Sequence, residues 1–141
     1  LDMLGVTIMA TYTQTRKVNG DKVQKKYADT VNPWRIGRFM PITERGWSLN
    51  TYGLSKVWFK SHCVPLRVGD INSINGTTRK WHYADLLVKP ADLVKHRQKN
   101  YGGLGLFHVK SKSTATFIKS FLETAANAKY ARSLYHQALL S

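Results

Sequence analysis

Apolar residues recur at Val23, Tyr27, Val31 and Trp34, four, four and three positions apart, so they fall on one side of a helix. Pro33 interrupts the run, and the helix is predicted to end or kink near Asn32, where Asn32 and Pro33 can open a further turn. Upstream, residues 3–13 alternate or run apolar and β-branched (Leu4, Val6, Ile8, then Ala10 and Tyr12), which predicts a strand. Between the two, Asn19-Gly20-Asp21 is a turn signal, with Asp21 placed to cap the helix that opens at Lys22.

The same reading continues down the chain. Thr43 is a candidate N-cap for a helix through about His62, with Trp47, Leu54, Val57 and Trp58 on its buried side. Asp70 starts the next, which carries Ile71, Ile74, Thr78 and Trp81 at three-, four- and three-residue spacing. Gly76 within it costs about 1 kcal/mol relative to Ala. Pro90-Ala91-Asp92-Leu93 predicts a short helix with Pro in its first turn. Ala115, Ile118, Phe121, Leu122 and Ala125 form an apolar face on a helix from about Val109 to Asn127, and a last helix is predicted from Ala128 to Leu140. The fold class is therefore mostly α: a helical bundle with a short N-terminal β-strand or hairpin.

Tyr101-Gly102-Gly103-Leu104-Gly105-Leu106 breaks this succession. A Gly-Gly-x-Gly run bounded by aromatic and apolar residues marks a sharp bend between packed elements, so Gly102, Gly103 and Gly105 are assigned a structural role. At least one of them is expected at positive φ. The run lacks the Lys-Ser/Thr of a phosphate-binding loop and the βαβ setting of a dinucleotide site.

Composition narrows the function. A chain of 141 residues, 43% of them hydrophobic, can bury a core as one domain. Its formal net charge is +14, from 22 Lys and Arg against 8 Asp and Glu, which is the footprint of a surface that meets a polyanion. No apolar run approaches the roughly 20 residues that span a bilayer, so no membrane partner is expected. Cys63 stands alone, which excludes an intrachain disulfide and points to an intracellular, reducing compartment. The opening Leu1-Asp2-Met3 has no initiator Met and no signal-peptide pattern, so the chain reads as a piece of a longer polypeptide.

Candidate chemistry is sparse. Tyr83-Ala84-Asp85 invites comparison with the Tyr-Ala-Asp-Asp box of polymerases, but Leu86 follows where the second carboxylate would stand. Two-metal phosphoryl transfer needs at least two converging carboxylates. No catalytic or metal-ligating residue is therefore assigned, and the chain alone is expected not to extend a primer. The five histidines are scattered without zinc-ligand spacing to Cys63, and Cys63, beside Val64 and Pro65, is expected to be a buried thiol. The candidate nucleic-acid-binding residues are Arg35, Arg38 and Arg45, around the loop that opens the 43–62 helix, then Lys56 and Lys60 on one side of that helix. Lys112 and Lys119, seven apart, share a face of the later one. Arginine suits phosphate through its bidentate fork. Trp58 and Trp81 are expected in the core, while Trp34 and Trp47 stand open between core packing and base stacking.

Several motifs in order resemble the reverse transcriptase of LINE-type (non-LTR) retrotransposons, in the region just after the catalytic palm. Met3-Leu4-Gly5-Val6-Thr7-Ile8 looks like the strand at the palm–thumb junction. Trp34-Arg35 followed by Pro41-Ile42-Thr43-Glu44-Arg45 looks like the element that opens the thumb, and Asn50 to Phe59 is similar to the helix after it. Ile71, Ile74 and Trp81 follow, and Lys89-Pro90 with Gly102-Gly103-Leu104-Gly105-Leu106 matches the late Pro and Gly-Gly-Leu-Gly signature.

The resemblance implies a junction strand over residues 1–19, thumb helices over 20–88 and a connector over 89–141. It implies contact with template RNA, cDNA or an RNA–DNA hybrid and with the palm of the same parent chain. It also implies a nuclear setting, and magnesium in the parent polymerase rather than in this fragment. A freestanding, sequence-nonspecific RNA- or DNA-binding domain is the alternative, and a protein-interaction scaffold whose charge only aids solubility is a third class.

Overall fold

The computed structural model describes every residue except 4, 35–39, 84, 85, 88 and 141, with the backbone alone at 3 and 128–140. Its architecture is mostly helical. The predicted N-terminal strand is realised as a minimal hairpin, β1 (Asp2–Met3) paired antiparallel with β2 (Val6–Thr7), with Gly5 at φ 79° between them. Leu4 lies outside the described residues. The extended stretch stops well short of residue 13, because Thr11 caps a helix by accepting a hydrogen bond from the Gln14 amide.

That helix, α1 (Tyr12–Val31), runs straight through Asn19-Gly20-Asp21, so the predicted turn there is absent. Asn19 is buried, and its amide group both donates to the Thr7 carbonyl and accepts from the Thr7 amide. It ties the hairpin to α1. The expected stripe holds: Val23, Tyr27 and Val31 are buried, and the helix ends at Asn32. The Tyr27 hydroxyl bonds Thr78 at 2.6 Å, and burial pushes its pKa up to about 12.

The helix predicted from Thr43 opens instead at Pro41. It consists of α2 (Ile42–Ser48), a π turn (Leu49–Gly53) and α3 (Ser55–Ser61). The π turn carries an extra residue and closes with a hydrogen bond from the Leu54 amide to the Leu49 carbonyl at 2.7 Å. One extra residue rotates the buried face by roughly 100°. Leu54 and Val57 are accordingly buried, while Trp47, counted onto the same face by an unbroken helical period, is exposed. Helix α4 (Val68–His82) begins two residues before Asp70, with Arg67 as N-cap and Asp70 at its third position. Ile71, Ile74 and Thr78 are buried along it as predicted.

Pro90 precedes α5 (Asp92–His96) rather than entering its first turn. After a 3-10 turn (Lys99–Tyr101) the glycine bend follows, and then one continuous helix, α6 (Val109–Leu140), in place of the two expected. The segment after the bend is stitched back by main-chain bonds from Leu104 to Val94 and from Leu106 to Lys95. Asn50 grips its next turn, donating to the Gly105 carbonyl and accepting from the Phe107 amide. Leu106 and Val109 thereby join the core formed by α1, α3 and α4. Residues on either side of 88 thus share one core, and the boundary expected between 19 and 20 falls inside α1. Among the described residues no helix is long and apolar enough to cross a membrane.

The three glycines of the bend serve different needs. Gly102 and Gly105 have φ of 76° and 66°, the left-handed region expected of the run. Gly103 instead makes a close approach: a Cβ there would lie 2.0 Å from the Arg97 carbonyl oxygen. Gly103→Ala should therefore lower the melting temperature most. Gly102→Ala, with open space around it, should show only the backbone strain of about 1–2 kcal/mol. Thermal melts of the two variants test this order, and equal losses would contradict it.

Candidate nucleic-acid interface

Helices α1 and α3 pack against each other, and each carries lysines beside its buried stripe. On α1, Lys22 and Lys26 immediately precede the buried Val23 and Tyr27. On α3, Lys56 and Lys60 immediately precede the buried Val57 and Ser61. A residue next to an inward-facing one is turned by roughly 100°, so each pair flanks the contact of its own helix. Lys60 faces Lys22 and Lys26 across that seam. The Lys60 ammonium is pushed below its usual range first by partial burial and then by the charges of Lys22 and Lys26. Asp2, from the hairpin, opposes them, and Lys22 reaches its carboxylate at 3.6 Å.

Phe59 stands between Lys56 and Lys60 in sequence and is 61% exposed. It lies against the hairpin, its ring 3.9 Å from where a Gly5 side chain would begin. An exposed ring beside clustered ammonium groups offers phosphate contact and a stacking surface together. Lys22 and Lys26 were not among the sequence candidates. Their signal was present, two lysines one turn apart beside an apolar stripe, but their nearness to Lys60 depends on how the helices pack.

The remaining sequence candidates are distributed elsewhere. Lys112 is half-buried, its ammonium 3.3 Å from the centre of the Phe107 ring and 5.1 Å from that of Trp58. Trp58 is two residues from both Lys56 and Lys60, a turn of roughly 200° around α3, so Lys112 sits on the far side of that helix. Lys119 is exposed and pairs with Glu123 at 3.8 Å. Arg35 and Arg38 lie outside the described residues.

Arg45 was assigned to the binding surface, and the structure corrects that. It is 4% exposed, donating through Nε to the Met40 carbonyl at 2.9 Å and through Nη1 to the His82 carbonyl at 3.3 Å. The guanidinium joins the start of α2 to the end of α4. Arg16 acts similarly on the Pro65 and Leu66 carbonyls, both at 2.9 Å, and Arg67 on Asp70. In these three places the arginine fork is spent on the fold, while the convergent surface charge is lysine.

Arg45→Ala should therefore destabilise the domain by about 2–4 kcal/mol, since it strips charged donors from buried carbonyls and leaves a cavity. Nucleic-acid affinity measured well below the melting point should be unchanged. A normal melting curve combined with weakened binding would return Arg45 to the surface role.

Trp34 resolves to the core side, its ring 5.3 Å from Trp81 and its carbonyl accepting from the Trp81 indole at 2.7 Å. Trp58 and Trp81 pack on the core margin as expected. Trp47 instead pairs edge-on with the exposed Tyr52 at 5.8 Å. Tyr83 is buried against His82, while Ala84 and Asp85 lie outside the described residues. His82 is fully buried, bonded to the Ile42 carbonyl, and lowered in pKa by burial and then by Lys95, Arg45 and His96. Cys63 is exposed, not the buried thiol expected, because it falls in the turn after α3. Among the described residues no group of three or more His, Cys, Asp or Glu could hold a metal ion.

Comparison with protein-family models, with curated proteins and with solved structures finds no match to this chain.

Proposed function

We propose that this chain binds the phosphate backbone of a nucleic acid along the α1–α3 seam, as the thumb and connector of a LINE-type reverse transcriptase. On this reading the strand held is template RNA, cDNA or their hybrid, and the palm of the parent chain supplies the catalysis and its magnesium. The observation that carries the binding assignment is the convergence of Lys22 and Lys26 with Lys60 beside an exposed Phe59. Like charges brought together on a surface repel one another, and a polyanion relieves that repulsion. The ordered motifs from Met3 to Leu106 carry the family assignment, and a parent reading frame with an upstream pair of catalytic aspartates would support it.

Salt dependence tests the binding. With several phosphates neutralised, log K for duplex DNA should fall by about 0.9 per phosphate for each tenfold rise in salt, with little sequence preference. Fluorescence anisotropy with duplex and single-stranded probes reads this directly. Affinity that is flat between low and physiological salt would overturn the proposal and favour a protein-interaction scaffold.

A further inference from the structure

His82, the last residue of α4, is fully buried. Its Nε2 lies 3.2 Å from the Ile42 carbonyl, which can only accept, so Nε2 carries the proton of the neutral ring. Nδ1 is then a bare acceptor, and it is buried with no hydrogen-bond partner. The neighbouring Tyr83 hydroxyl is buried without one as well. Buried polar atoms are normally satisfied, so two such atoms side by side mark a joint held together by its surroundings.

Four elements meet at this ring. Helix α2 supplies Arg45, whose Nη1 donates to the His82 carbonyl at 3.3 Å. A Cβ at Gly46 would lie 3.8 Å from His82 Nε2 and 2.9 Å from the Leu104 carbonyl oxygen, so the glycine bend packs on α2 beside the ring. Helix α5 supplies the buried Lys95 and also His96, and both charges act on His82. His96 Nδ1 bonds the Leu106 carbonyl at 2.9 Å, and its ring meets that of His108, just before α6, at 4.9 Å. Arg79 of α4 faces Tyr83. Among the described residues the carboxylate set against these cations is that of Asp92, already engaged by Lys95 at 2.9 Å. A proton on Nδ1 adds one more cation to this buried group.

We propose that His82 is an acid-released latch. Neutral, it lets α5, the glycine bend and α2 close on the end of α4; protonated at Nδ1, it drives them apart. The core around Val23, Tyr27, Val57 and Ile74 lies elsewhere and stays packed. The sign follows from burial. Burial first, then the charges of Lys95, Arg45 and His96, outweigh the Ile42 bond and hold the folded ring below its ordinary value of about 6.5. The opened joint takes up the proton more readily, so closure is fully favoured above that value and loses ground as pH falls below it. This inference does not depend on the nucleic-acid reading.

The test is amide hydrogen exchange of the 141-residue chain between about pH 7.5 and about pH 5, expressed as protection factors. The Arg45 and Leu104 amides, bonded to the Pro41 and Val94 carbonyls, should lose protection by up to about tenfold per pH unit, the effect of one proton. The Tyr27 amide of α1 should keep its protection. His82→Gln, which retains an N–H donor and cannot titrate, should abolish the pH dependence, whereas His96→Gln and His108→Gln should retain most of it. Constant protection in the wild type, a loss shared equally by Tyr27, or a loss that persists in His82→Gln overturns the proposal. Should His82→Gln fail to fold, the wild-type His82 ring decides by NMR. Its titration must coincide with the loss of protection, and a ring that protonates while Leu104 stays protected overturns the latch.

Discussion

Replacing Asp70 by Ala should destabilise the protein by about 3 kcal/mol, the lower end of the loss when a buried ion pair is broken. Asp70 is fully buried at the third position of α4. Its carboxylate accepts from the Arg67 amide at 2.9 Å, from Arg67 Nε at 3.0 Å and Nη2 at 2.6 Å, and from the Gln24 side chain of α1. The substitution would unseat the cap of α4 and its tie to α1 together. The figure stays at the lower end because the Arg67 side chain, 31% exposed, keeps part of its hydration and can still reach Asp21. Urea denaturation at neutral pH measures the difference.

Acid should erase that difference. Burial alone would raise the Asp70 carboxyl, but hydrogen bonds from Arg67 and Gln24 and the Arg67 charge outweigh it, so its pKa is lowered. A carboxyl lowered on folding contributes stability above its unfolded value of about 3.9, and that contribution fades as pH falls below it. The wild type and Asp70→Ala should converge there.

Gly20→Ala gives the companion result with an unambiguous sign. Helix propensity alone predicts a gain of about 1 kcal/mol for Ala inside α1. A Cβ at Gly20 would, however, lie 2.3 Å from Asp70 Oδ2, and that oxygen is held by its bonds to Arg67. The substitution should destabilise by about 2 kcal/mol or more. In the Asp70→Ala background it should become neutral or favourable, because the obstructing carboxylate is gone. A stabilising Gly20→Ala in the wild-type background would contradict this packing of α1 on α4.

The second large effect is on binding. Changing Lys22, Lys26, Lys56 and Lys60 together to Gln should reduce nucleic-acid affinity by about a hundredfold or more near physiological salt. It should also flatten the salt slope by about one for each phosphate that is no longer neutralised. Melting should hold or rise, since the four lie beside the buried stripes rather than in them, and repulsion among three of them disappears. The pair Lys112→Gln and Lys119→Gln is the internal comparison. Its effect per lysine should be smaller, because Lys112 is held against Phe107 and Trp58 and both lie away from the seam. Equal losses per lysine from the two sets would mean that total charge governs binding rather than the α1–α3 seam.

What the sequence determined by itself was local. The stripe through Val23, Tyr27 and Val31, the end of α1 at Asn32, the buried line of Ile71, Ile74 and Thr78, and a positive φ somewhere among Gly102, Gly103 and Gly105 were all legible. Each depends on periodicity or backbone freedom within a few residues. What only the tertiary structure decided depends on partners far along the chain. Asn19-Gly20-Asp21 has turn chemistry, yet it stays helical because Asn19 bonds Thr7, Gly20 makes room for Asp70 and Asp21 meets Arg67. Arg45 reads as a surface charge until α2 packs beneath the end of α4. The α6 stripe was visible as a pattern, but whether a neighbour covers it is no property of the helix. Lys60 of α3 meets Lys22 and Lys26 of α1 only because the apolar residues beside them draw the two helices together. Hydrophobic burial is non-directional. A stripe therefore specifies that a face will be buried, and the packing of the whole chain selects against what.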